Sequence, residues 1–139
     1  MRALLMHCKN YGVKVTRLAN RPKGINPEAV KEKEQFCNNC IVAMITVEKE
    51  DVLDKSIPLL SKEIITMSNE IKRKQVVLLP FAHLSNNLAN IKKGIDAITM
   101  LENSIKNNLH VVRAHFGSHK ELLLNLYGHP GNARYREFY

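Results

Sequence analysis

The sequence predicts an α/β (α+β) protein, a single mixed β-sheet with two main helices packed on it. Three observations carry this prediction. Apolar β-type runs alternate along the chain with two stretches whose apolar residues recur at helical spacing. At 139 residues the length suits one domain, residues 1–139, able to bury about two thirds of the surface its unfolded chain exposes. With 45% hydrophobic and 24% charged residues, the composition is that of an ordinary globular protein.

Taken in order, residues 1–8 read as a strand beginning at the first residue. Tyr11-Gly12 marks a turn and residues 13–18 alternate with period two, so the two runs are expected to form a hairpin. Residues 20–35 hold Pro22, Gly24 and Pro27 with little to bury, and predict a loop that accommodates a helical turn; Arg17, Arg21 and Lys23 form a small basic cluster there. Residues 40–47 are almost continuously apolar, the mark of a central strand covered on both faces. Ser56 suits the N-cap of a first helix, with Pro58 in its first turn. Ile57, Leu60, Ile64, Met67 and Ile71 then supply its core stripe, and Lys72-Arg73-Lys74 complement the negative end of its dipole.

Four aliphatic residues, 76–79, are too few for a helix of ordinary length and predict a short buried strand that Pro80 ends. Leu88, Ile91, Ile95, Ile98, Leu101 and Ile105 outline a second amphipathic helix, which Gly94 weakens. Residues 109–114 and 122–127 are further strands, Gly128-His129-Pro130-Gly131 reads as a turn, and residues 135–139 as a short extended end.

The totals exclude several classes. No apolar run approaches the about 20 residues that span a bilayer, and the first six residues are too short for a signal peptide's apolar core. A soluble, cytoplasmic protein without a membrane partner is expected. A net charge of +8 favours a polyanionic partner held by its backbone, although no interleaved aromatic and basic pattern of base-stacking modules is present. Three cysteines, an odd number, exclude a complete internal disulfide framework. Cys37 and Cys40 have metal-ligand spacing, but His7 and Cys8 are adjacent, which is poor chelating geometry from a strand. The three thiols are expected to pack in core and loops, with a disulfide open only for a hyperthermophilic source. No metal and no cofactor is expected.

Two segments concentrate chemistry, Pro80-Phe81-Ala82-His83-Leu84-Ser85 and His115-Phe116-Gly117-Ser118-His119-Lys120. Each is read as a loop following a strand, where open α/β sheets keep their ligand sites. The second helix, as a crossover, would set the two parent strands side by side and bring both loops to one end of the sheet. Ser85 with His83 or His119 lacks both a nucleophile elbow and a positioned acid, so a serine triad is not favoured. An ammonium beside aromatic rings, as at Lys120, suits an ester or phosphate oxygen and can stabilise developing negative charge.

Five blocks then occur in register: Met1-Arg2-Ala3-Leu4-Leu5-Met6-His7, Ile45-Thr46-Val47-Glu48-Lys49, Leu79 to Ser85, Phe116-Gly117-Ser118-His119-Lys120 and Gly128-His129-Pro130. Together they resemble the N-terminal editing domain of archaeal threonyl-tRNA synthetase, of the D-aminoacyl-tRNA deacylase-like fold. The resemblance implies a proofreading hydrolase that removes serine from mischarged seryl-tRNA(Thr). It implies that Pro80, Phe81, Ala82 and His83 line the seryl pocket, largely through backbone atoms. Val47 would face that pocket, Phe116 and Gly117 would form its opposite wall, and Lys120 would lie near the scissile ester, with His119 where relatives often carry Tyr. In some relatives an acid follows Gly-His-Pro; here Gly131-Asn132-Ala133-Arg134 stands instead. The expected partners are the seryl-tRNA(Thr) acceptor end, a second copy of the chain in a homodimer, and a separate aminoacylating synthetase. The chain is also expected to be the N-terminal part of a longer polypeptide. D-aminoacyl-tRNA deacylation and a non-catalytic tRNA-binding module are the competing readings.

Overall fold

The computed structural model describes residues 1–20 and 25–139; Arg21 and Lys23 of the basic cluster, with Pro22 and Gly24, lie outside the described residues. The elements run β1 (Arg2–Leu18), β2 (Glu34–Thr46), α1 (Leu53–Ile71), β3 (Gln75–Pro80), α2 (Ile91–Ile105), β4 (His110–Arg113), β5 (Ser118–Leu126) and β6 (Ala133–Glu137). One six-stranded mixed sheet has the order β4-β3-β2-β1-β5, and β6 also pairs with β1. β2, β3 and β4 are parallel neighbours, joined by α1 and α2 as crossovers. β1 runs antiparallel to β2, to β5 along its second half and to β6 along its first.

Both helices lie on one face. Ile57, Leu60, Ile64 and Met67 of α1 and Ala97, Ile98, Leu101 and Ile105 of α2 pack there with Ala3, Leu5, Ile41, Ala43, Val76 and Leu78. Ile57 to Met67 of the first predicted stripe and Ile98 to Ile105 of the second are therefore core, whereas Leu88 lies before α2 and is exposed, and Ile71, Ile91 and Ile95 are half-buried. Among the described residues no helix packs on the other face, where Met6, Cys8, Val42, Met44, Val77 and Leu79 meet Tyr11, Leu124 and Leu126. A flat sheet could not bury both faces with helices on only one side. Gln35 lies eight residues upstream of Ala43, about 26 Å along a straight strand, and Ala43 is level with Leu78 and Arg113. Yet the Gln35 side chain donates to the Arg113 carbonyl at 2.9 Å. The β1–β2 arm must therefore curl over the second face. Asn39 sits within the arm at φ 50°, a left-handed conformation that asparagine tolerates.

Several expectations are corrected. No hairpin turns at Tyr11-Gly12: β1 is continuous through it, with Gly12 opposite Phe36 and Leu123. A Cβ there would meet the Phe36 ring at 3.2 Å and the Leu123 Cβ at 3.4 Å, so this glycine marks close side-chain approach. β2 begins at Glu34, well before the apolar run, because its first half pairs with residues 10–14 of β1. Ser56 is a buried residue inside α1, whose N-cap is Val52 with no side-chain cap, and Pro58 falls within the helix beyond the first turn. Lys72 ends α1 in a left-handed conformation at φ 54°.

Cys8 faces Cys40 across the β1–β2 ladder, and all three cysteines are free and buried. Burial pushes the Cys8 thiol up to about 11. Strand alternation sends the neighbouring His7 to the opposite side, where its Nδ1 lies 2.8 Å from His129 Nε2. Burial, then His129 and Arg73, hold the His7 imidazole below its ordinary value. Among the described residues no group of three or more His, Cys, Asp or Glu is placed to hold a metal ion, and no helix is long and apolar enough to cross a membrane.

Candidate functional site

Pro80 is the last residue of β3, and the chain that follows stays tied to the outgoing end of β2. The Phe81 amide donates to the Ile45 carbonyl at 2.9 Å, the Ala89 amide to the Val47 carbonyl at 2.9 Å, and the Lys49 amide to the Asn87 carbonyl at 3.1 Å. The Thr46 hydroxyl donates to the Phe81 carbonyl. These bonds hold the Phe81–Ala89 loop against Val47, which is buried. Phe81 and His83 meet edge to face, with ring centroids 5.1 Å apart. Ala82 and His83 are exposed at the rim.

The second segment comes from β4 and β5. Ser118, His119 and Lys120 belong to β5, not to a loop, and pair with Leu18, Arg17 and Val15. A strand fixes Lys120 more tightly than a loop would. Only Ala114 to Gly117 turn, and the Gly117 carbonyl accepts from the Ala19 amide at 2.9 Å. Gly117 has φ 91°, and a Cβ there would lie 2.6 Å from the Pro27 Cβ, so both its conformation and its surroundings exclude a side chain.

One cavity of about 990 Å³ joins the two segments. Val47, Pro80, Phe81, Ala82 and His83 line one side; Phe116, Gly117, His119 and Lys120 line the other. All nine positions singled out from the sequence thus surround the same space. The cavity far exceeds a hydroxymethyl group, so any rejection of one extra carbon must be local to a corner of it. Burial pushes the Lys120 ammonium down to about 8, against the opposing pull of Glu28. The Lys120 Nζ donates to the Ser118 carbonyl at 3.2 Å, which aims it along the strand.

Ser85 is not a nucleophile in this arrangement. Its hydroxyl donates at 2.5 Å to Glu48 Oε1, and it lines a separate cavity of about 460 Å³. Glu48 also accepts from Arg2 Nε at 3.0 Å and, with Asp51, from the buried Met1 ammonium. Burial opposes a charged Glu48, but the Ser85 hydrogen bond and the Met1 ammonium hold its carboxyl below the usual range. Gly128 to Gly131 form a turn next to His7, away from the cavity, and Ala133 pairs with Met6.

Sequence reasoning missed Gly94. By sequence it only weakens α2, but a Cβ there would fall 2.4 Å from Phe116 Cζ and 2.8 Å from Cε2. Phe116 can stand where it does only because α2 carries no side chain at that point. The one signal, a glycine inside an amphipathic helix, points to no particular neighbour. Also missed was Glu28, from a loop with no periodicity, whose Oε2 accepts from the Phe116 amide at 3.1 Å.

A family profile described as the archaea-specific editing domain of threonyl-tRNA synthetase matches residues 1–138. The chain is 34% identical over 136 residues to a threonine–tRNA ligase of Staphylothermus marinus, covering 94% of this chain and 21% of that protein. It is 35% identical over 130 residues to a threonine–tRNA ligase editing subunit of Saccharolobus solfataricus, covering 91% of this chain and 32% of that protein. The chain therefore spans between about a fifth and a third of these relatives. Among solved structures, the c-Myc DNA unwinding element binding protein superposes with a TM-score of 0.64 at 12% identity, covering 99% of this chain and 98% of that one. That likeness concerns the fold alone, a mixed α+β arrangement of the class expected from the sequence.

Proposed function

The chain belongs to the family of archaea-specific editing domains of threonyl-tRNA synthetase, and on that premise we propose that it hydrolyses serine from mischarged seryl-tRNA(Thr). The observation that carries this reading is the single cavity between the Phe81–His83 and Phe116–Lys120 segments. Threonine differs from serine by one methyl, and a binding pocket gains only about 1–3 kcal/mol from such a group. Accurate charging therefore benefits from a second site that excludes the larger residue and hydrolyses the smaller ester. On this reading the buried Val47 and the small Ala82 form the wall that one additional carbon would meet.

Lys120 is the catalytic cation of this mechanism. Water oxygen attacks the ester carbonyl carbon, and negative charge develops on the carbonyl oxygen before the ribose oxygen leaves with a proton. An ammonium held by a strand inside a partly dry cavity stabilises that charge with little reorganisation. With its pKa near 8, Lys120 remains mostly protonated at neutral pH. No carboxylate stands among the nine positions, so the 2′-hydroxyl of the terminal adenosine serves to orient the attacking water. His83 and His119, at the rim, position the 3′ end. The net charge of +8 supplies attraction for the tRNA backbone, and the partners of this reaction are the tRNA, an aminoacylating synthetase and a second copy of the chain.

The test is release of amino acid from seryl-, threonyl- and D-aminoacyl-tRNA incubated with the pure protein. Rapid release of L-serine alone supports the reading. Release of D-amino acids alone would transfer the site to D-aminoacyl-tRNA deacylation, and no release would leave a tRNA-binding module.

A further inference from the structure

We propose that Glu28 is a positioning residue of the cavity, supplying both the clamp on the Phe116 turn and the counter-charge to Lys120. The proposal rests on the editing reading above and places the acid of the site on the loop before β2.

The geometry is specific. Glu28 is partly buried and divides its two carboxylate oxygens. Oε2 accepts from the Phe116 amide at 3.1 Å, and Oε1 pairs with the Arg113 guanidinium at the end of β4. Its own carbonyl lies 2.7 Å from His115 Nε2, while His115 Nδ1 lies 2.8 Å from the Ser118 hydroxyl. One residue thus holds the turn that carries Phe116 from its amide, from the preceding strand and from the neighbouring imidazole. The same Arg113 is anchored on α2 through Thr99 at 2.9 Å and Glu102 at 3.4 Å, so the clamp reaches the helix that carries Gly94. Ser118 closes the circuit, because its carbonyl accepts from Lys120.

The field works in the same direction. Burial lowers the Lys120 pKa, and Glu28 raises it. The other charged or titratable groups around Lys120 are His119 and Glu121 beside it on β5, Arg17 opposite His119 on β1, His115 in the turn, and Lys49 and His83 across the cavity. Arg17, Lys49 and Arg113, the last paired with Glu28 itself, oppose a second cation, whereas Glu121, which also lines the cavity, is a second carboxylate on β5. Glu28, which accepts from the Phe116 amide, is the carboxylate whose attraction raises the Lys120 pKa.

Lys120 is followed in the protein free of tRNA by NMR of lysine labelled at Cε, while the pH profile of kcat/KM is measured on seryl-tRNA(Thr). Glu28→Gln keeps an acceptor for the Phe116 amide and removes the charge. Its Lys120 midpoint and the alkaline limb of its rate profile are expected to fall by about half a pH unit or more. Glu28→Asp, which keeps the charge, should return both toward wild type. A folded Glu28→Gln or Glu28→Ala protein with an unmoved Lys120 midpoint overturns the proposal. So does loss of folding in both of these with Glu28→Asp intact, which would make the residue purely architectural. Wild-type protein that hydrolyses no ester would instead sink the editing reading, leaving the NMR midpoint as an independent measure of Glu28.

Discussion

Gly94→Ala adds one methyl group to α2 and is expected to disable the cavity while leaving the protein folded. The new Cβ would stand 2.4 Å from Phe116 Cζ and 2.8 Å from Cε2. Carbon contacts become favourable at about 3.5–4 Å, so the ring edge must retreat by about 1 Å or more. Two stability effects oppose each other. Alanine gains about 1 kcal/mol over glycine inside a helix, and overpacking costs about 1–3 kcal/mol. The net loss is therefore about 0–2 kcal/mol, a drop of a few degrees in Tm for a chain of this size. Activity is far more sensitive, because a misplacement of about 1 Å near reacting atoms can cost about 100-fold. Deacylation of seryl-tRNA(Thr) by Gly94→Ala should fall by about 10- to 100-fold in kcat/KM, with far-UV circular dichroism unchanged. Gly128→Ala is the control, since a Cβ at Gly128 meets nothing within 4 Å. Wild-type kcat/KM in Gly94→Ala, or an equal loss in Gly128→Ala, would refute the assignment of Phe116 as a precisely seated wall.

Lys120→Met should separate stability from activity. The folded pKa of about 8 lies below the ordinary 10.5, so the unfolded chain binds the proton more tightly between those values and stability rises with pH across that window. At pH 7 the wild type carries the full cost of a buried ammonium; the methionine variant is expected to melt higher, by the equivalent of about 1–3 kcal/mol, while losing at least about 100-fold in rate. Thermal melts from pH 7 to 10.5 should show the difference shrinking; a variant that melts lower throughout would contradict the burial argument. Glu48→Gln tests the buried charge cluster behind the other loop. The carboxyl is held below its ordinary 4.5, so its contribution is present above that pH and is lost as pH falls through the folded value. Removing the charge should cost about 3 kcal/mol at pH 7 and flatten the acid limb of the stability curve, read by urea titration. An unchanged acid limb would show that Glu48 does not govern it.

The parts of the fold legible from the sequence are those in which one-dimensional pattern and three-dimensional burial coincide. The stripe Ile57 to Met67, the stripe Ile98 to Ile105 and the run Val76 to Leu79 are core because a periodic apolar set has no other place to go. The cavity position was legible too, since a crossover helix between parallel neighbours brings the two strand ends together. Local cues misled where they serve two purposes. Glycine marks turns, but Gly12 accommodates Phe36 and Leu123; serine caps helices, but Ser56 is buried inside one. Lys120 was placed in a loop because polar residues interrupt β5, which is half-exposed and needs no apolar run.

Taken alone, the sequence determined the mixed sheet, its helices, the two chemistry-bearing segments and the family to which they belong. Tertiary structure decided the rest: the curl of the β1–β2 arm, the opposite facing of His7 and Cys8, the seat of Phe116 above Gly94, and the bond from the Phe116 amide to Glu28. Periodicity encodes which face of an element avoids water. It carries no information about which distant residue closes on that face, because such contacts depend on strand curvature and on segments far apart in the chain, 88 residues for Glu28 and Phe116.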